Sequence, residues 1–155
     1  MKYNWYYTFS RIKLGIIEES GFITGIFFGD GAGDRDCQTQ ETPLLKRAAR
    51  ELGEYFEGRR KVFGFPIQPS GTAFQKKVWD AVSAIPYGET RTYKEIAVQA
   101  GNPLAARAVG MANNRNPIVI VIPCHRVIGH NGALTGYGGG LDVKEYLLAL
   151  EILNK

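Results

Sequence analysis

Cysteine and histidine are both scarce in this chain. There are two of each: Cys37, Cys124, His125 and His130. Two distant cysteines are no disulfide framework, and they fit a reducing compartment, so a cytoplasmic protein is expected. The four residues give no zinc-ligand spacing, and neither a metal nor another cofactor is expected. Long apolar runs are missing as well, with nothing near the about 20 residues of a membrane span. The N-terminal stretch is too polar and aromatic to read as a signal peptide. Low-complexity tracts and internal repeats do not occur. What is present is the composition of a soluble globular protein, 45% hydrophobic and 22% charged over 155 residues. That length suits one ordinary domain or two small ones. The formal net charge of +4 is compatible with a polyanionic partner.

The chain changes character near its middle. Tyr3 to Tyr7, Lys13 to Glu18 and Phe22 to Phe28 alternate aromatic or β-branched residues with polar ones between glycines, the pattern of a three-stranded antiparallel meander. Residues 29–34 read as a glycine-rich loop. Thr42-Pro43 opens a helix to about Glu57, with Leu44, Leu45, Ala48, Ala49, Leu52, Tyr55 and Phe56 on its core face. Gly64 to Gly71 is linker chemistry and divides residues 1–68 from 69–155. Phe74, Val78, Trp79, Val82 and Ile85 then share one helical face. Thr92 caps a helix from Tyr93 to Ala100, closed by Gly101, and Asn102-Pro103 is expected to open the next, to about Asn113. Two short helices around a glycine-containing turn have the helix-turn-helix outline, with Arg107 on the second, although any compact helical hairpin has it too.

Ile118 to Ile122 is a continuous apolar, β-branched run and is expected to be a buried strand. Pro123 ends it, which puts Cys124 at the strand's end with His125 and Arg126 beside it. A free thiol is only slightly ionised at neutral pH, so a nucleophilic cysteine needs a base or a nearby cation, and both neighbours are candidates. A buried structural cysteine is the competing reading. The last helix is expected over Val143 to Leu153, burying Val143, Tyr146, Leu147, Leu150 and Leu153. Glu151 falls within that apolar arc, where a carboxylate needs a partner. His125 and Lys144 are candidates, and a solvated glutamate at a fraying helix end is the alternative.

Arg107-Ala108-Val109-Gly110, Asn116-Pro117, Pro123-Cys124-His125-Arg126-Val127, Tyr137-Gly138-Gly139-Gly140-Leu141 and Lys144-Glu145 follow one another in order. This series resembles the 6-O-alkylguanine-DNA alkyltransferases, also called methylated-DNA–protein-cysteine methyltransferases, over residues 71 to 153. The resemblance implies an α/β (α+β) protein. A small N-terminal RNase H-like α/β domain would precede a mostly helical, winged-helix-like C-terminal domain containing the helix-turn-helix.

It further implies direct reversal of DNA damage. The alkyl group of 6-O-alkylguanine, and of 4-O-alkylthymine, would pass irreversibly to Cys124 while the base is flipped out of the duplex. His125 would take the thiol proton through a water, Glu151 would polarise His125, and Asn116 would brace the active-site turn. Tyr93 would donate towards the base. Arg107 would fill the vacated space, with Ala106 and Arg115 also at the DNA. Val119, Val127, Leu134, Tyr137, Gly138 and Gly139 would line the substrate pocket, and the carbonyls of Cys124 and Val127 would read the exocyclic amine. The implied partner is double-stranded DNA carrying an alkylated guanine, bound by a monomer.

Val119 stands where the family often has proline, and Gly138 where it often has serine. A lesion-binding module that does not repair is the non-enzymatic alternative, and Cys124 speaks against it because those relatives lack the cysteine. A cysteine hydrolase would draw its histidine from a distant segment. Cys37, beside Asp36, has no activating neighbours and reads as a bystander.

Overall fold

The computed structural model describes residues 1–30 and 36–155. The loop expected over residues 29–34 therefore lies mostly outside the described residues. Two compact units divide the chain: Met1–Ser70 with Pro117–Val119, and Gly71–Asn116 with Ile120–Lys155.

In the first unit β1 (Lys2–Phe9) and β2 (Ile12–Glu19) pair antiparallel from Lys2↔Glu19 to Phe9↔Ile12. Ser10 and Arg11, both at positive φ (47° and 70°), make the two-residue turn that matches strand twist. Ser20 and Gly21 repeat this before β3 (Phe22–Phe28). A short β4 (Cys37–Thr39) lies parallel to β1, giving the order β3-β2-β1-β4. Helix α1 (Pro43–Phe56) starts at Thr42, whose side chain accepts from Leu45 N–H, and it buries Leu45, Ala48, Leu52, Tyr55 and Phe56. Phe56 stacks on Phe9 with ring centroids 5.2 Å apart.

The second unit starts with α2 (Ala73–Ser83), closed at its N-terminus by a Thr72–Gln75 capping box. Its Trp79 is buried, and Nε1–H donates to the Ala112 carbonyl at 2.9 Å. Two-residue strands β5 (Arg91–Thr92) and β6 (Val127–Ile128) run parallel. Between them come α3 (Tyr93–Gln99) and α4 (Ala106–Asn114), and α5 (Leu141–Leu153) ends the unit. A mixed α/β protein with an N-terminal sheet and a helical C-terminal unit is thus observed.

Three local expectations are corrected. Helix α4 begins at Ala106, not at Pro103. Asn102 instead accepts from Leu104 N–H through Oδ1 and from Ala105 N–H through its carbonyl, so Asn102-Pro103 makes a turn.

Ile118–Ile122 is buried but is not a strand. Ile118 forms one parallel bridge with Ile26, and Ile120 sits at φ +73°. A β-branched residue there bends the chain sharply, and an apolar run alone cannot tell a buried strand from a buried bend.

Helix α5 buries Lys144, Leu147 and Glu151, whereas Tyr146 and Leu153 are 39% and 84% exposed. Leucine and isoleucine surround this helix, so apolar spacing selects no face. The polar pair that finds partners does.

The start of α3 rests on a reciprocal cap. Thr92 Oγ1 accepts from Glu95 N–H at 3.1 Å, and Glu95 Oε1 accepts from Thr92 N–H at 3.0 Å. Thr92→Ala is expected to cost about 1 kcal/mol, read as a lower urea midpoint at unchanged m-value.

Candidate active site

Cys124, His125 and Arg126 form a single 3₁₀ turn after Pro123, held by Arg126 N–H to the Pro123 carbonyl at 2.9 Å. In such a turn successive side chains fan out by about 120°, so the three reach different surroundings, unlike neighbours on a strand. All three are buried, His125 completely.

Glu151 of α5, also fully buried, gathers this turn. His125 Nε2 lies 2.6 Å from Glu151 Oε2. Arg126 donates through Nε to Oε1 at 2.7 Å and through Nη2 to Oε2 at 3.0 Å. Gly88 N–H adds a bond to Oε1 at 3.2 Å. The third guanidinium nitrogen, Nη1, donates to the Ile85 carbonyl at 2.8 Å. Arg126 is thereby committed to Glu151, a function that its place beside Cys124 in the sequence does not signal. Lys144, a candidate partner of Glu151, goes elsewhere: Nζ donates to the carbonyls of Val127 (2.7 Å) and Thr135 (3.2 Å).

The turn is braced from the end of α4 and the segment just past it as well. Asn116 Nδ2 donates to the Ile122 carbonyl at 2.7 Å, and Asn113 Nδ2 to the Cys124 carbonyl at 3.2 Å. The two carbonyls that the resemblance assigns to base reading therefore already accept protein donors, Cys124 O from Asn113 and Val127 O from Lys144.

Burial governs the ionisation of these groups. It pushes the Cys124 thiol up, against the bonds from Asn116 and Tyr137 and the charge of Lys144. It pulls His125 below the ordinary imidazole value, with the Glu151 bond opposing. It also lowers Lys144. For Glu151 burial works upwards but loses to the bonds from His125 and Arg126, which hold the carboxyl far below the usual range. The resting site is a thiol, a neutral imidazole and a carboxylate paired with arginine. A neutral His125 bonded to Glu151 through Nε2–H carries its lone pair on Nδ1.

The remaining residues lie around this centre or apart from it. Tyr93 opens α3, and its hydroxyl is 2.5 Å from Thr135 Oγ1. Tyr93, Ala106, Arg107, Gly110, Thr135 and Gly136 line a cleft of ≈450 Å³. Arg107 and Arg115 are exposed, at the start and just past the end of α4. Leu134, Gly138 and Gly139 belong to the loop between β6 and α5. A Cβ at Gly138 would meet no atom within 4 Å, so packing does not demand glycine there. Val119 belongs to the first unit, where its N–H donates to the Ile26 carbonyl. Asn113 and Thr135 carry no sequence signal of their own. Their partners lie 11 and 42 residues away, beyond any local pattern.

A family model described as 6-O-methylguanine DNA methyltransferase, DNA binding domain, matches residues 73–152. The methylated-DNA–protein-cysteine methyltransferase of Methanosarcina acetivorans is 59% identical over 116 residues, 75% of this chain and 74% of that protein. The constitutive methylated-DNA–protein-cysteine methyltransferase of Bacillus subtilis is 46% identical over 156 residues, 94% of each. The crystal structure of Mycobacterium tuberculosis OGT in complex with DNA matches with a TM-score of 0.89 at 41% identity, covering 99% of this chain and 93% of that one.

Two outcomes follow from the buried charges. Glu151→Gln leaves the Arg126 guanidinium buried without a counter-charge. It is expected to cost about 3–5 kcal/mol in denaturant unfolding. His125 is depressed in the folded protein, so the unfolded chain takes up its proton first as pH falls. The corresponding stability is present above about pH 6.5 and is lost below it, at no more than about 1.4 kcal/mol per pH unit. Urea unfolding at about pH 7.5 and about pH 5.5 should show the loss, and His125→Gln should reduce it.

Proposed function

The chain belongs to the 6-O-methylguanine DNA methyltransferase family, and we propose that Cys124 is the residue that takes the alkyl group in its repair of alkylated DNA. The observation that carries this reading is the buried relay: a cysteine and a neutral histidine are consecutive in one turn, and the histidine is bonded at 2.6 Å to a carboxylate that arginine neutralises.

The chemistry balances within the complex. The Cys124 proton leaves for Nδ1 of His125, through a bridging water by family likeness. The sulfur electron pair forms a bond to the alkyl carbon as the carbon–oxygen bond breaks. The electron pair released on the guanine is met by a proton from the Tyr93 hydroxyl, which the proton held on His125 replaces by way of solvent, returning guanine and leaving a thioether on Cys124. A proton lost by sulfur thus equals one gained by the base, and no co-reactant is consumed. Holding the thiol protonated until a base arrives places the ionisation at the moment of attack. A thioether does not leave under this site's acid–base groups, so the protein acts once.

The base must leave the stack to reach a buried sulfur, at a cost of about a few kcal/mol. The exposed Arg107 and the neighbouring Ala106 at the start of α4, with Arg115 past its end, form the surface for the duplex, and Arg107 occupies the vacated position. Tyr93 donates to the extruded base from the cleft wall. Val127, Leu134, Tyr137, Gly138 and Gly139 surround the alkylated edge. The lesion is 6-O-alkylguanine, with 4-O-alkylthymine as the related pyrimidine. One chain supplies every catalytic side chain, which supports action as a monomer. DNA as the partner and two unbridged cysteines support a cytoplasmic protein.

Intact-mass measurement after mixing with a duplex holding one 6-O-methylguanine tests the proposal. One added methyl per chain is expected, absent in Cys124→Ala. Tight binding with no mass change in the wild type would leave a lesion-recognition protein instead. Arg107→Ala is expected to slow the reaction with duplex more than with a free alkylated base.

A further inference from the structure

A side-chain hydrogen bond connects the loop between β6 and α5 to the helix-turn-helix, between the hydroxyls of Thr135 and Tyr93, 2.5 Å apart. Both groups are half-buried and lie on the wall of the ≈450 Å³ cleft. Thr135 is not adrift at the cleft's edge. Its carbonyl accepts from Lys144 Nζ at 3.2 Å, and the same ammonium donates to Val127 O at 2.7 Å, next to the Cys124 turn. Lys144 is fully buried on α5, so the loop at Thr135 is referenced to the turn that holds the thiol. A continuous series of bonds therefore runs from β6 through Lys144 and Thr135 to the Tyr93 hydroxyl.

We infer that Thr135 is a positioning residue that sets the direction in which Tyr93 donates to the extruded base. This rests on the alkyl-transfer reading above.

A phenol has one proton to give and lone pairs to accept. When the Thr135 hydroxyl donates to the Tyr93 oxygen, the Tyr93 proton is directed to a third group, and the accepted bond makes it a better donor. When Tyr93 donates to Thr135 instead, that proton is occupied. A threonine hydroxyl rotates freely enough to take either part, so arrival of a base exchanges the roles without moving either side chain. Without the hydroxyl of Thr135, the Tyr93 ring keeps its place at the start of α3, but its hydroxyl has no fixed hydrogen-bonding direction.

Single-turnover rates of methyl transfer from a 6-O-methylguanine duplex test this in wild type, Thr135→Val, Thr135→Ser, Tyr93→Phe and the Thr135→Val/Tyr93→Phe double variant. Valine is close in shape to threonine and retains the backbone carbonyl that Lys144 uses. Thr135→Val is expected to slow transfer about fivefold to tenfold, the value of one neutral hydrogen bond. Thr135→Ser should recover most of that rate. In the Tyr93→Phe background Thr135→Val should cause no further loss, because its effect acts through the tyrosine hydroxyl.

An equal slowing in both backgrounds would overturn the inference and assign Thr135 to loop structure alone. A faster Thr135→Val would also overturn it, making the bond a closure that must open. So would a Tyr93→Phe as fast as wild type. Absence of transfer by the wild type would sink the alkyl-transfer reading itself, which separates the two failures.

Discussion

One buried carboxylate determines the character of this site. Glu151 accepts bonds from His125, Arg126 and Gly88, joining the 3₁₀ turn, the segment before β5 and helix α5 at a single pair of oxygens. A lone carboxylate in such surroundings would either take up a proton or draw one onto the histidine. Arg126 removes both options, because its fixed positive charge satisfies the carboxylate through two nitrogens. His125 is then free to remain neutral while still oriented by Glu151. The arginine beside Cys124 thus acts on it through two intermediaries, and its value lies in what it prevents His125 from becoming.

A second layer of donors serves the backbone. Lys144, Asn113 and Asn116 all spend side-chain nitrogens on main-chain carbonyls around the turn and the following loop. Irregular chain at this depth leaves carbonyls with no ladder to join, and each must be met by something. Meeting them with Lys144 of α5 and Asn113 of α4 ties the irregular segments to rigid ones. This explains how a short turn, with no sheet or long helix of its own, can hold a reacting group in one place.

Much of this was legible in the chain. The hairpins, the Thr42 and Thr92 caps and the Cys124–His125–Glu151 grouping all rest on local chemistry or on a motif spelled out in order. The failures share a cause. Ile118–Ile122 has strand composition, but Ile120 turns the chain because the burial of its neighbours outweighs its own preference. Helix α5 is apolar around most of its circumference, so spacing alone did not separate the buried Lys144 and Glu151 from the exposed Tyr146 and Leu153. Thr135 and Asn113 have partners that only the folded chain brings close. A polar residue whose partner is distant in sequence is invisible to any periodicity.

The depth of Cys124 has a consequence for how the protein survives between lesions. Oxidants and stray electrophiles react with exposed thiolates, and a thiol driven to sulfinic acid is not ordinarily recovered. Cys124 is 4% exposed and burial keeps it protonated, so it is shielded both by access and by chemistry. Cys37, partly open at the sheet edge, meets such reagents first. For a molecule that is spent by a single reaction, a nucleophile that stays unreactive until a base is delivered to it preserves the whole pool in working form.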